Sequence, residues 1–391
     1  MKRSNHLMPQ ILSPDNLRLA FWKAARGHQD RAEVRAYRAR SDEELAALEA
    51  GLRQGDYPVG RFHRFAIHDP KERIIHAPVF AERVLHHALM NVCEPVFERL
   101  AIADTYACRK GKGQWAAVAR ATQFAAAAPF LLKMDVRKYF DSVLQERLLS
   151  LLRGRFKDEA VLGWLERIVA GYHTTPGRGL PIGSLTSQHL ANFYLGSLDR
   201  FVKETLRHRY YLRYMDDCAI WGASAAELRA AGQTVEAFLH RELGLQLKPT
   251  PFSNRCVHGM YFLGCRIHPG WAGLNRRSRR RLGRTLRRYE QYHEAGLWDE
   301  ARLQSHVEPL FAFARQARSQ RFRQRTLQNF GSRRNGLQPR EPRRQLEQQR
   351  PELPFRQPEQ EHADEPEQQL GVPGRPSSGR GRSAATELNP P

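Results

Sequence analysis

The chain has 391 residues, with 63 Lys+Arg against 41 Asp+Glu and a formal net charge of +22. This length can bury a core of two or three subdomains. The charge points to a polyanionic partner without choosing between nucleases, ribosomal proteins and other nucleic-acid binders. Five cysteines, at 93, 108, 218, 256 and 265, are odd in number and form no CxxC pair, which argues against a disulfide framework or structural zinc and fits a reducing cytosol. The opening MKRSNHLMPQ has no apolar run for a signal peptide, and no window approaches the roughly 18 apolar residues of a membrane span. A cytoplasmic chain without membrane contact is expected.

In chain order, Ser13-Pro14-Asp15-Asn16 reads as a helix start, with a capping side chain and a proline in the first turn. The spacing over 17–27 puts Leu19, Phe21, Trp22 and Ala25 near one face, and 41–53 forms a second amphipathic helix. Gly60–Ile67 and Arg73–Pro78 alternate around Asp69-Pro70-Lys71-Glu72, a hairpin pattern. Residues 79–100 return to helical period. Two β-rich runs follow, FLLKMD at 130–135 and YYLRYMDDCAIW at 210–221, the second a hairpin with Met215-Asp216 at its tip. Helices are expected between them at 143–171 and 186–207. Tyr261–Ile267 reads as one further strand, and 275–330 as basic, aromatic-studded helix. The last 60 or so residues, rich in Gln, Pro, Glu, Arg and Gly, read as disordered.

The two β-rich runs carry carboxylates where metal chemistry needs them. Nucleotidyl transfer uses two divalent cations roughly 3.5–4 Å apart, one at the primer 3′-oxygen and one on the triphosphate. Magnesium takes hard oxygen ligands and keeps waters and phosphate oxygens, so two or three carboxylates on adjacent buried strands suffice. Asp135 ends one apolar strand, and Asp216 and Asp217 sit at a turn on another. Each alone could be an ordinary turn aspartate; both runs in this order argue otherwise. Between them lies GLPIGSLTSQHLANFYLGSLD, residues 179–199, where Gly179 and Gly183, with Gly177 just before, let backbone approach a base pair closely. An ordinary loop with a capped helix has the same appearance. Upstream, DTYACRKGKGQWAAVAR places Arg109, Lys110 and Lys112 among glycines, which suits a triphosphate or a merely solvated basic turn.

Taken together, LKMDVRKYFDSV, GLPIGSLTSQ with ANFYL, YYLRYMDD and YFLGCRI resemble, in this order, the successive palm blocks of bacterial reverse transcriptases. The resemblance covers roughly residues 15–330. It is closest to the enzymes of diversity-generating retroelements: group II intron enzymes typically carry Gln-Gly and Ser-Pro in the third block, and this chain has Ile182-Gly183 and Ser187-Gln188. The resemblance implies an α+β right-hand polymerase with fingers, a ferredoxin-like α/β palm and an all-α thumb. The implied domains are an N-terminal extension with fingers over 1–130, partly interleaved with a palm over 131–272, then a basic helical thumb over 273–330 and a disordered tail over 331–391.

It also implies roles. Asp135, Asp216 and Asp217 are the catalytic aspartates; with the Val136 carbonyl they hold two Mg2+ ions. Phe140 is the steric gate against a ribose 2′-OH; the bland alternative is a core aromatic. Ile182, Gly183 and Gln188 line the nascent base pair. Arg109, Lys110 and Lys112 contact the triphosphate. Lys248 is a proton donor to pyrophosphate, although LQLKPTPFSNRC departs from the usual spacing. Arg276, Arg277, Arg279, Arg280, Arg281, Arg284 and Arg287 neutralise template–primer phosphates. Phe311, Phe313 and Phe322 are expected in the core. The implied partners are an RNA template, a DNA or RNA primer, dNTPs and a small basic accessory protein. The alternatives are a retron or phage-defence reverse transcriptase, a viral-type RNA polymerase (against which Phe140 argues), and an idle RNA-binding relative.

Overall fold

The computed structural model describes residues 3–68 and 72–331. The Asp69-Pro70 turn and the tail beyond Gly331 lie outside the described residues. The first helix expectation holds at its start: Pro14–Ala25 is a helix whose Ser13 hydroxyl accepts from the Asn16 N–H at 3.2 Å. Its buried face is a correction. Leu17, Ala20, Ala24 and Ala25 are inside, while Leu19 and Trp22 are 44% and 57% exposed. The partner helix Phe80–Leu100 decides this. Asn16 donates to the Ala88 carbonyl at 3.0 Å and Lys23 to Asn91 at 2.6 Å, which turns the small alanines inward and the large side chains out.

Strands β1 (Phe62–His68) and β2 (Glu72–Pro78) form the expected hairpin, in register Phe62↔Pro78 to His68↔Glu72. Buried Glu82 pins its start, accepting from the N–H groups of Gly60 at 3.0 Å and Arg61 at 2.9 Å.

The central sheet contains β3 (Phe130–Asp135), β4 (Tyr210–Tyr214), β5 (Asp217–Gly222) and β6 (Phe252–Arg255), all antiparallel, in the order β4-β5-β3-β6. Helices connect β3 to β4, a tight turn connects β4 to β5, and the helix Ala225–Leu243 connects β5 to β6. This is the βαββαβ topology of a ferredoxin-like fold, so the palm expectation holds. Both faces are covered, which is why the strands read as nearly continuous apolar runs. Leu132, Met134, Tyr211, Cys218 and Ile220 join one core. Leu131, Leu212, Ala219 and Trp221 alternate with them into a second core, where the helix Gln114–Ala127 sets Phe124 5.3 Å from the Tyr210 ring and 5.4 Å from Trp221.

Three expected elements are subdivided. Residues 143–171 form two helices, Gln145–Arg153 and Glu159–Ala170. Asp158 breaks the run: it caps the second helix through Val161 N and ties down the N–H groups of Leu7 and Met8. Residues 186–207 divide into Leu185–Tyr194, Gly196–Arg200 and the π-turn Phe201–Thr205. Tyr261–Ile267 is not one strand. It belongs to a three-stranded sheet of β7 (Met260–Phe262), β8 (Cys265–His268) and β9 (Trp271–Leu274), turning at Leu263-Gly264.

The helices Arg276–Glu294, Glu300–Arg315 and Gln320–Gly331 follow. Leu282, Leu286, Phe311 and Ala314 bury into the second core, with Phe313 and Phe322 half-buried against it. Among the described residues no helix is long and apolar enough to cross a membrane.

Candidate active site

The antiparallel register of the sheet assembles the three aspartates. Asp135 at the end of β3 is the Cα partner of Asp217 at the start of β5. Asp216 precedes it in the two-residue turn from Tyr214, and its carbonyl accepts from the Val136 N–H at 3.4 Å. Met215 takes the left-handed backbone (φ +54°), unusual for a side chain of that size. Burial, and then the charges of Asp135 and Asp217, push the Asp216 carboxyl up to about 6. Burial also raises Asp217, against the opposing pull of Lys133.

Two lysines stand against these carboxylates. The Lys248 ammonium contacts Asp135 Oδ2, and its backbone N–H donates to the Asp135 carbonyl at 2.9 Å. The unusual spacing around Lys248 is thus compatible with a place in the site: a bridge between Val136 and Leu247 brings it there. Lys133, which sequence reasoning passed over, reaches Asp217 Oδ1 at 3.1 Å. It lies two residues before Asp135, and so on the same side of β3.

The donors suit a hard cation. Asp135 Oδ1 is buried with no hydrogen-bond partner among the described residues, and Asp217 Oδ1 is met only by the ion pair with Lys133. Among the described residues no three His, Cys, Asp or Glu side chains form a ready-made metal cage. Polymerase magnesium does not need one, since one or two carboxylates share it with substrate phosphates and water.

The glycine-rich loop lies against the β1–β2 hairpin. The His76 N–H donates to the Ile182 carbonyl at 2.8 Å. Gly183 has φ +112°, and a Cβ there would sit 2.6 Å from Ile75 Cγ2, so the close approach requires glycine. Ile182 is half-buried. Gln188 is half-buried one helical turn on, its side-chain oxygen 3.6 Å from Cys108 Sγ. Phe140 is half-buried against the first core, and its carbonyl accepts from Leu180 N at 2.8 Å, joining it to the same loop.

Arg109 is a correction. It is buried, and its guanidinium is spent on the fold: on Glu98 at 2.6 and 2.8 Å, and on the carbonyls of Ile102 at 2.5 Å and Thr105 at 2.7 Å. These bonds turn Nε, Nη1 and Nη2 toward the protein interior. Lys112 donates to the Ala103 carbonyl at 2.9 Å and lies 5.1 Å from the Tyr106 ring, whereas Lys110 is exposed. The seven arginines named on the helix Arg276–Glu294 are all exposed, opposite buried Leu282, Leu286 and Tyr289.

Residues 68–267, half of the chain, match the family described as reverse transcriptase (RNA-dependent DNA polymerase). The chain belongs to the reverse transcriptase family. Among curated relatives, the group II intron-encoded protein LtrA of Lactococcus lactis is 25% identical over 172 residues, 41% of this chain and 28% of LtrA. An uncharacterised 91 kDa protein in the cob intron of Schizosaccharomyces pombe is 25% identical over 128 residues, 31% of this chain and 16% of that protein. The chain therefore spans less than a third of the length of either relative. Among solved structures, apo telomerase from Candida tropicalis superposes with a TM-score of 0.47 at 10% identity, covering 75% of this chain and 64% of that one. Telomerase from Candida albicans with a fragment of telomeric RNA gives 0.40 at 10% identity, covering 56% and 46%.

Proposed function

We propose that the chain is an RNA-directed DNA polymerase that extends a DNA or RNA primer on an RNA template. The observation that carries this reading is the pairing of Asp135 with Asp217, with Asp216 in the adjoining turn, on a βαββαβ sheet. Asp135, Asp216 and Asp217, with the Val136 carbonyl, are the groups that would hold two magnesium ions. When bound, such ions supply activation of the primer 3′-oxygen and neutralise charge on the triphosphate and pyrophosphate. The protein's own part is to orient and to donate. Lys248, on Asp135, would give a proton toward the leaving phosphates. The loop at Ile182–Gln188 and the ring of Phe140 shape the pocket for base pair and sugar. The exposed arginines of Arg276–Glu294 hold template–primer phosphates whatever their sequence. In this assignment 1–130 is the N-terminal extension with fingers, 131–272 the palm and 273–330 the thumb. The test is primer extension by the purified full chain with RNA template, dNTPs and Mg2+; no extension on RNA, or extension on DNA alone, overturns the reading.

Phe140 gives a sharper expectation. Phe140→Ala opens the wall against the 2′-OH, so ribonucleotide use should rise by about tenfold or more relative to dNTP, the scale of one lost packing contact in a selective pocket. The readout is the ratio of kcat/KM for dNTP and rNTP opposite one template base. An unchanged ratio would leave Phe140 as core only.

We further assign the host system to a diversity-generating retroelement, where the cDNA carries errors at template adenines and a small basic accessory protein assists. The IGxxxSQ form of the loop supports this subgroup. Ile182 offers no hydrogen bond from its side chain, and its carbonyl is held by His76. A missing polar contact is worth roughly 1–3 kcal/mol, or ten- to a hundredfold in misincorporation. Ile182→Gln should therefore lower errors opposite adenine without a large loss of rate. Deep sequencing of cDNA made by both proteins on one RNA decides it, and equal error rates would remove the loop from fidelity control.

A further inference from the structure

Arg213 is the fourth of the five residues of β4 and is only 1% exposed, an uncommon place for a guanidinium. All five of its N–H donors are used. Nε reaches Asp199 Oδ1 at 2.7 Å, and Nη2 reaches Asp199 Oδ2 at 2.6 Å and the Asn192 carbonyl at 3.1 Å. Nη1 reaches Asn192 Oδ1 at 2.8 Å and the Met215 carbonyl at 2.9 Å. Asp199 is equally occupied, accepting also from the Tyr211 hydroxyl at 2.8 Å and the Thr105 hydroxyl at 3.0 Å. Burial works against the charge of Arg213, and the Asp199 carboxylate more than restores it, holding the group above its ordinary value.

The network joins the parts of the site that must agree. Met215 is the turn residue beside Asp216 and holds a left-handed backbone. Asn192 belongs to the helix Leu185–Tyr194, which carries Gln188, and its amide also donates to the Ala107 carbonyl at 2.9 Å. The segment at 104–106 runs along β4 through Arg213 N to the Asp104 carbonyl at 3.0 Å and Tyr106 N to the Arg213 carbonyl at 3.1 Å. A buried ion pair is by itself a weak stabiliser. This one spends a donor on the carbonyl that precedes Asp216, where a strained turn has to be held in one place.

We propose that Arg213 is a positioning residue for the polymerase reaction: its fork fixes the Met215–Asp216 turn against the helix Leu185–Tyr194, and so fixes Asp216 relative to the loop at Ile182–Gln188. This rests on the functional reading given above. Arg213→Lys keeps a charge facing Asp199 but loses the planar fork and, with it, the bond to the Met215 carbonyl. Thr105→Val is the comparison, removing one bond to Asp199 while leaving the fork on the turn.

The experiment measures melting temperature, kcat, KM for dNTP and the Mg2+ concentration giving half-maximal rate, using the full chain. Arg213→Lys should lose roughly 10- to 100-fold in kcat, the scale of a small misplacement at a reacting centre, and need several-fold more Mg2+. Its KM for dNTP should stay within about twofold, since the change does not touch a binding group. Thr105→Val should melt earlier with kcat and Mg2+ requirement unchanged. A folded Arg213→Lys protein with wild-type kcat and Mg2+ requirement overturns the proposal, as does loss of activity in both variants in step with melting temperature. Should Arg213→Lys fail to fold, Asn192→Ala loosens one side of the fork and leaves the ion pair: a raised Mg2+ requirement supports the role, and an unchanged one overturns it. An active Asp216→Asn protein would overturn the site reading and this inference together; an inactive one beside an active wild type isolates the positioning role.

Discussion

Asp216→Asn is expected to abolish DNA synthesis and, in EDTA at neutral pH, to make the protein more stable than the wild type. The sign follows from the site. The folded state pushes the Asp216 carboxyl up to about 6, chiefly through burial and then through Asp135 and Asp217. Its ionised form is therefore the costly one. The cost is absent below the ordinary carboxylate range and fully present above about pH 6. A neutral amide of the same shape removes it, worth about 1–2 kcal/mol after allowance for partial exposure, or roughly 1–3 °C in melting temperature. Adding Mg2+ should then raise the melting temperature of the wild type and leave that of the variant nearly unmoved, by linkage. Differential scanning fluorimetry with and without Mg2+ gives the stability arm, and primer extension gives the other. Wild-type extension by the variant would remove Asp216 from the chemistry. A melting temperature below wild type in EDTA would mean that the three carboxylates do not strain one another.

The same opposition of stability and function explains the placing of Lys133 and Lys248. Each ammonium faces one carboxylate of a site that otherwise concentrates negative charge. They supply counter-charge beside carboxylates that burial would otherwise leave facing one another.

The parts of the fold written in short-range pattern were legible from the sequence. The short β-rich apolar runs FLLKMD and YYLRYMDDCAIW, each broken by aspartate, place the strands and the turn from the chain itself. Ser13 and Pro14 mark a helix start for a local reason, a side-chain acceptor beside a residue with no N–H. What escaped depends on partners far along the chain. The face of Pro14–Ala25 is set by Asn91 and Ala88 on another helix, so Trp22 points outward although its spacing also fits an inward stripe. Arg213 carried a readable signal, a charged residue inside an apolar strand, which implies a buried partner. It could not say that the partners are Asp199 and Asn192. Arg109, among glycines and lysines, has the local chemistry of an anion site. Only the tertiary structure brings Glu98 and two carbonyls around it.

That correction leads to the second large expected effect. Arg109→Ala should destabilise the protein by about 2–4 kcal/mol, because it unpairs Glu98 and strips two backbone carbonyls of their donor. Glu98 is partly exposed and can recover water, which keeps the loss below that of a wholly buried pair. In melting temperature the fall is roughly 3–6 °C. A triphosphate contact predicts a different pattern: unchanged melting and a large rise in KM for dNTP. Buried engagement predicts the reverse, with KM within about twofold in whatever fraction remains folded. Lys110→Ala supplies the contrast on the same segment, since that side chain is exposed and its removal should leave melting nearly unchanged. Thermal melts and dNTP titrations on the two proteins, below the lower melting temperature, separate the cases. If Arg109→Ala melts with the wild type and loses only nucleotide affinity, the guanidinium serves the substrate and its bonds to Glu98, Ile102 and Thr105 give way when nucleotide binds.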